Sequence, residues 1–170
     1  MAEFNKDESE VMIQELNTDS KKAEDIYDKL RAKVNTFTAD KFRGKYGKLI
    51  DYLLLLPDFV VLLIRLACDK RVSGTQKIMV GGIILYVISP IDIIPDFIPV
   101  IGLADDLLLV VYGLNTIVNE IDKEIVEEHW SGNDDLLQTL RNAADIAEKF
   151  LSKNVIKKIS AFFSAVKGKQ

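Results

Sequence analysis

Between Ser89 and Asp106 the chain reads Ser-Pro-Ile-Asp-Ile-Ile-Pro-Asp-Phe-Ile-Pro-Val-Ile-Gly-Leu-Ala-Asp-Asp, which places three of its four prolines and four aspartates inside an apolar run. A proline inside a helix lacks the N–H that the ladder needs and turns the preceding residue away from helical geometry. A carboxylate resists burial unless something pairs with it. This stretch therefore cannot continue as one greasy rod. Ser89 has the form of an N-cap, with Pro90 at the first helical position and Asp92 at the third, where its carboxylate can reach back to open backbone donors. Pro95 and Pro99 stop that helix from propagating, and Gly102 permits a sharp reversal. Asp105 and Asp106 then fall in the expected first turn of a new helix, where the macrodipole favours negative charge. The expected structure is a proline-pinned corner joining two apolar helices, with Ser89, Pro90, Pro95, Pro99 and Gly102 as its structural residues.

The same residues, in the pattern S-P-x-D-x-x-P-D-x-x-P-x-x-G-x-x-D-D, resemble the signature of the YkvA-like domain. The resemblance continues upstream through Asp58, Leu66, Asp69, Arg71, Lys77 and Tyr86 and covers roughly Pro57 to Val118. It implies a small helical domain of a family commonly read as membrane-embedded, with no established activity. The flanks, Met1 to about Leu56 and Asn119 to Gln170, carry no such likeness.

Periodicity extends the all-α reading to the rest of the chain. Met1 to Glu10 is polar and is expected to fray. Ala23, Ile26, Tyr27, Leu30 and Val34 recur at helical spacing, with Lys21, Lys22, Asp25, Asp28, Lys29 and Lys33 on a solvated face. Phe37 to Gly47 reads as a basic connector. Leu49 to Cys68 is apolar nearly all round, marked by Asp51, Asp58 and Arg65 at seven-residue steps, with Pro57 expected to restart the helix after Leu56. Ile78 to Ile88 reads as an apolar helix, and Ala104 to about Glu128 as the longest one. Ser131-Gly132-Asn133 breaks the pattern. Two amphipathic helices follow, one on Leu136, Leu137, Leu140, Ala143, Ala144, Ala147, Phe150 and Leu151, the other on Val155, Ile156, Ile159, Phe162, Phe163 and Val166. The expected fold is thus an apolar helical hairpin with a proline/aspartate corner, packed with amphipathic helices. Its parts are an arm over 1–48, the apolar domain over 49–128 and the terminal helices over 129–170.

Membrane affinity is finely balanced. Leu49 to Leu66 holds thirteen Leu, Ile, Val and Phe residues, worth roughly −6 kcal/mol together on an insertion scale, against about +3 for a central Asp58 and smaller costs for Asp51 and Arg65. Ile78 to Ile88 is about 16 Å long, too short to cross alone. Extending it takes in Asp92, Asp96 and three prolines, backbone that survives at membrane depth only under protein or water-filled cover. The last helix carries Lys153, Lys157, Lys158, Lys167 and Lys169 opposite its apolar face, a composition that suits a helix lying on an anionic surface and equally a helix packed on the core with a solvated basic face.

Several functions are disfavoured at once. A net charge of −4 offers no field for gathering polynucleotide phosphates, and Gly44-Lys45-Tyr46-Gly47 has the form of an RNA-binding G-x-x-G loop without the strands that fold requires. One cysteine, Cys68, and one histidine, His129, exclude an internal disulfide, a Cys/His zinc cluster and any His-based dyad not built on His129. Cys68 sits in an apolar run as a small core residue, and His129 suits a helix C-terminus. The acidic first residues lack the basic flank and apolar core of a cleaved secretory signal.

No catalytic constellation or cofactor motif is present. Asp92, Asp96, Asp105 and Asp106 are candidate oxygen ligands for Mg2+ or Ca2+, and each also has a structural duty at a cap or turn. Arg65, Lys70, Arg71 and Lys77 are candidate partners for those acids. These features point to a membrane-associated, non-catalytic structural or interaction module on the cytoplasmic side, in contact with lipid and open to a protein partner. The alternatives are a divalent-metal-binding protein or metal-dependent enzyme built on the four aspartates, and a soluble helical domain of the cytoplasm that buries these segments internally.

Overall fold

The computed structural model describes residues 6–18, 20–35, 40–88, 99–130 and 135–168. Among them the chain is all-α: α1 (Lys6–Thr18), α2 (Ser20–Asn35), α3 (Asp40–Leu53), α4 (Leu56–Cys68), α5 (Gly74–Ile88), α6 (Pro99–Val118), α7 (Lys123–His129), α8 (Leu136–Phe150) and α9 (Lys153–Gly168). Ser89, Pro90, Asp92, Pro95 and Asp96, most of the expected corner, lie outside the described residues.

α6 is the axis of the fold. It packs on α3, α4, α5, α8 and α9, and Ala104, Leu107, Leu108, Val110, Leu114 and Ile117 along it are fully buried. A helix apolar on every side needs neighbours on every side, and this one has them. α5 lies against α6, as the hairpin reading expects, and is covered on another side by α1. α4 carries Phe59, the largest fully buried side chain among the described residues, and meets α1, α2, α5, α6 and α7.

Local chemistry explains several boundaries. Ser73 and Gln76 form a reciprocal capping box, the Gln76 N–H donating to Ser73 Oγ at 3.4 Å and the Ser73 N–H to Gln76 Oε1 at 3.3 Å, so α5 begins four residues before the expected Ile78. Asp135 caps α8 by accepting from the Gln138 N–H at 2.9 Å. Ser152 does the same for α9 through Val155 at 3.3 Å. Pro57 sits in the first turn of α4, where its missing N–H costs nothing. The break falls at Leu54-Leu55, slightly earlier than expected, and Asp58 takes the first-turn position foreseen for it.

Four expectations are corrected. Residues 6–10 are helical, because α1 is held down by α5 through buried Ser9, Met12 and Leu16. The basic connector is helical from Asp40, with the chain kinked at Tyr46 (φ −115°, ψ 15°) between Gly44 and Gly47. The helix expected over Ala104 to Glu128 is two. Asn119 turns its amide back to the Asn115 carbonyl at 2.6 Å, the Glu120 N–H bonds the Ile117 carbonyl, and Asp122 takes extended geometry to start α7. Finally, α6 is already helical at Pro99 and runs through Gly102 without reversal, which leaves Asp105 and Asp106 beyond the first turn and removes the dipole rationale for them.

No described helix is long and apolar enough to cross a membrane. Leu49 to Leu66, the run closest to balance on the insertion scale, is divided between α3 and α4, and most of its large side chains face protein. Val11 and Leu54 are the exposed large apolar side chains among the described residues.

Candidate functional site

Two polar groups stand out, one inside this apolar bundle and one at its surface. The first is Asp105 and Asp106, both 0% exposed in the heart of α6. Consecutive residues on a helix point about 100° apart, and the pair accordingly addresses two different neighbours. The Tyr86 hydroxyl of α5 donates to Asp105 Oδ2 at 3.4 Å. Lys33 Nζ of α2, its side chain 40% exposed, stands 3.7 Å from Asp106 Oδ2. Burying a carboxylate costs several kcal/mol unless hydrogen bonds and an opposite charge offset it, and here a phenol and an ammonium approach from separate helices. The arrangement ties α6 to both.

Tyr86 and Lys33 were hard to foresee. Tyr86 entered only through the family resemblance, and Lys33 read as part of a solvated charged face. Lys33 does border the buried stripe of α2, next to Val34 and three residues after Leu30, which places its long stem within reach of the interior. Of the four cations expected to meet the aspartates, Arg65 Nη1 donates to the His129 carbonyl at 2.9 Å and Arg71 belongs to the second polar group.

That second group is centred on Asp69, just after α4. Its Oδ1 accepts from the Arg71 backbone N–H at 2.8 Å and from Arg71 Nε at 3.1 Å. Its Oδ2 lies 2.8 Å from both Arg71 Nη2 and His129 Nε2. Arg71 Nη2 also reaches Glu128 Oε2 at 2.6 Å. The bidentate Arg71 guanidinium, and after it His129, hold the Asp69 carboxyl well below the usual carboxylate range. Arg71 lowers Glu128 in the same way, and the two acids raise Arg71 in turn. Beside them the Trp130 ring stacks on Phe59 at 5.7 Å and 17°. His129 is the last residue of α7, as its helix-end reading expects, and its pairing with Asp69 is an addition that spacing did not indicate. Together these contacts fasten α7 to the end of α4.

Elsewhere, Cys68 is half-buried with its thiol raised by burial, and its Sγ faces the Leu16 carbonyl at 3.8 Å. The Tyr112 hydroxyl of α6 donates to Glu148 of α8, and burial, followed by that carboxylate, pushes the phenol up to about 12.

Among the described residues no group of three His, Cys, Asp or Glu side chains is placed to hold a metal ion. Asp105 and Asp106 supply two carboxylates on one helix, while Asp92 and Asp96 lie outside the described residues. What the observed contacts do is positional: they set the relative placement of α2, α5 and α6 on one side and of α4 and α7 on the other.

Comparison with known proteins touches one part of this arrangement. Residues 76–112 match the model of a family described as "Protein of unknown function (DUF1232)". The match takes in nearly all of α5 and the first part of α6, and so contains Tyr86, Asp105 and Asp106 and leaves out Asp69, α7 and α9. No curated protein and no solved structure matches the chain.

Proposed function

We propose that this chain is a non-catalytic helical interaction module that sits peripherally on the cytoplasmic side of an anionic membrane, and that its proline/aspartate run is that of a YkvA-like domain. One observation carries the membrane reading. On α9 the apolar stripe is used internally, with Ile159 and Phe163 buried against the bundle, while Lys153, Lys157 and Lys158 remain exposed on the other side. The centre of the apolar stripe is thus covered by protein and needs no lipid, and Lys153, Lys157 and Lys158 are left facing outward toward anionic headgroups. Each lysine near such a surface is worth about 1 kcal/mol, so three amount to roughly a hundredfold in affinity. Peripheral contact is also what remains once α4, α5 and α6 have spent their apolar surface on one another.

Vesicle sedimentation tests the reading. The protein is expected to pellet with phosphatidylglycerol-containing vesicles and not with phosphatidylcholine alone, with binding lost as salt rises. A Lys153→Gln, Lys157→Gln, Lys158→Gln variant is expected to stay in the supernatant. Equal pelleting of parent and variant, or indifference of the parent to headgroup charge, would remove this function.

A further inference from the structure

We propose that the cleft between α3 and α8 is a binding site for a small zwitterion that carries a phosphate and a primary ammonium a few bonds apart, the chemistry of phosphoethanolamine. The cleft has a volume of about 470 Å3 and is lined by Lys48, Asp51 and Tyr52 of α3 and by Asn142, Asp145 and Lys149 of α8. That volume lies in the range of small-molecule sites, roughly 300–1,000 Å3.

The charge pattern selects the ligand. Lys48, Asp51 and Tyr52 are spaced i, i+3, i+4, and Asn142, Asp145 and Lys149 are spaced i, i+3, i+7, so each trio shares one face of its helix. Each helix contributes one cation and one anion to the cleft. A plain anion would meet two aspartates as well as two lysines, and a plain cation the reverse. A ligand bearing both signs can place its phosphate by Lys48 and Lys149 and its ammonium by Asp51 and Asp145. Tyr52 and Asn142, both half-buried residues, add a hydroxyl and an amide as uncharged donors and acceptors at the wall.

The walls are braced independently of any ligand. The Tyr46 and Phe150 rings meet at 5.4 Å between the same two helices, two residues before Lys48 and directly after Lys149. The kink of α3 falls at Tyr46 itself. This site shares no residue with the lysine face of α9, so its failure and the failure of the membrane reading are separable.

Calorimetric titration of phosphoethanolamine into the full chain, with inorganic phosphate as control, tests the site. Saturable binding is expected, at least about tenfold tighter than phosphate alone. A comparable loss is expected both in Lys48→Gln/Lys149→Gln and in Asp51→Asn/Asp145→Asn. The aspartate pair decides the matter, because on a merely basic surface removing acids tightens phosphate binding. All four positions are exposed, so these variants are expected to keep the fold. Phosphatidylcholine vesicles with and without phosphatidylethanolamine, in high salt, separate the sources. Pelleting with the doped vesicles assigns a lipid headgroup, and binding of the free compound alone assigns a soluble ester. The α9 triple variant is expected to bind phosphoethanolamine like the parent. Absence of saturable binding to both the free compound and the doped vesicles, or an Asp51→Asn/Asp145→Asn variant that binds phosphoethanolamine as tightly as the parent, overturns the proposal.

Discussion

Gly81 and Ser9 approach so closely that a Cβ added to Gly81 would stand 2.6 Å from the Ser9 carbonyl oxygen and 3.1 Å from its Cα. Backbone meets backbone at this crossing of α1 and α5, and Ser9 is fully buried there. Small residues at a crossing let two helices come close enough for a mostly polar helix to bury what little apolar surface it offers. This matters for α1, whose buried apolar residues are only Met12 and Leu16.

Gly81→Ala is therefore expected to destabilise the protein, although alanine is the better helix former by about 1 kcal/mol. The methyl has to displace main chain, which does not yield as a flexible side chain would, and overpacking of this kind costs typically 1–3 kcal/mol. The midpoint of urea unfolding is expected to fall, and hydrogen exchange is expected to show α1 losing protection ahead of α6. A midpoint equal to or above the parent's would show that α1 rides loosely on α5.

Lys33 and Asp106 are unequal partners. Lys33 can turn its ammonium to water, while Asp106 is enclosed. Lys33→Met is accordingly expected to cost about 1–3 kcal/mol by withdrawing a cation from a buried carboxylate. Adding Asp106→Asn to it is expected to recover part of that loss, read as a coupling energy in a double-mutant cycle. In this structural role Mg2+ or Ca2+ leaves the melting temperature of the parent where it was. A rise on adding either ion that disappears in Asp105→Asn would instead give the carboxylates a ligand-binding duty.

The Asp69 cluster makes the junction of α4 and α7 sensitive to acid. A carboxyl whose folded pKa lies below its ordinary 3.8 binds fewer protons when folded than when unfolded, so its contribution is present above that value and is lost as pH falls through the depressed one. Glu128, also lowered, acts in the same direction. Asp69→Asn is expected to lower the melting temperature at neutral pH and to flatten its decline below about pH 4. Trp130 fluorescence reports the event locally, because the ring is stacked on Phe59 beside the cluster. An acid limb of unchanged slope in Asp69→Asn would place the acid-labile contacts elsewhere.

Much of the bundle was legible from residue order. The stripes of α2, α8 and α9 repeat at helical period, and the buried members Ile26, Leu30, Leu140, Ala143, Ala147, Ile159 and Phe163 belong to the sets that period marks. Pro57 announced the break before α4 within two residues. Ser73 and Gln76 carried a capping box that would have placed the start of α5 at Gly74. What misled was hydrophobicity taken without partners. Asn119 and Asp122 divided a run whose apolar spacing looked continuous, and the start of α1, up to Glu10, looked polar enough to fray because its stability lies in α5.

The sequence by itself determined that the chain is helical, where most helices lie and which faces turn inward, because periodicity, prolines and caps act within a few residues of one another. Only the tertiary structure decided that Asp105 meets Tyr86, that Asp106 meets Lys33 and that His129 meets Asp69. Those pairs span 19, 73 and 60 positions, and no local spacing selects a partner at such distances. The partner is set by which helices the burial of apolar surface brings side by side, and the charged groups then pair with whatever that packing leaves within reach.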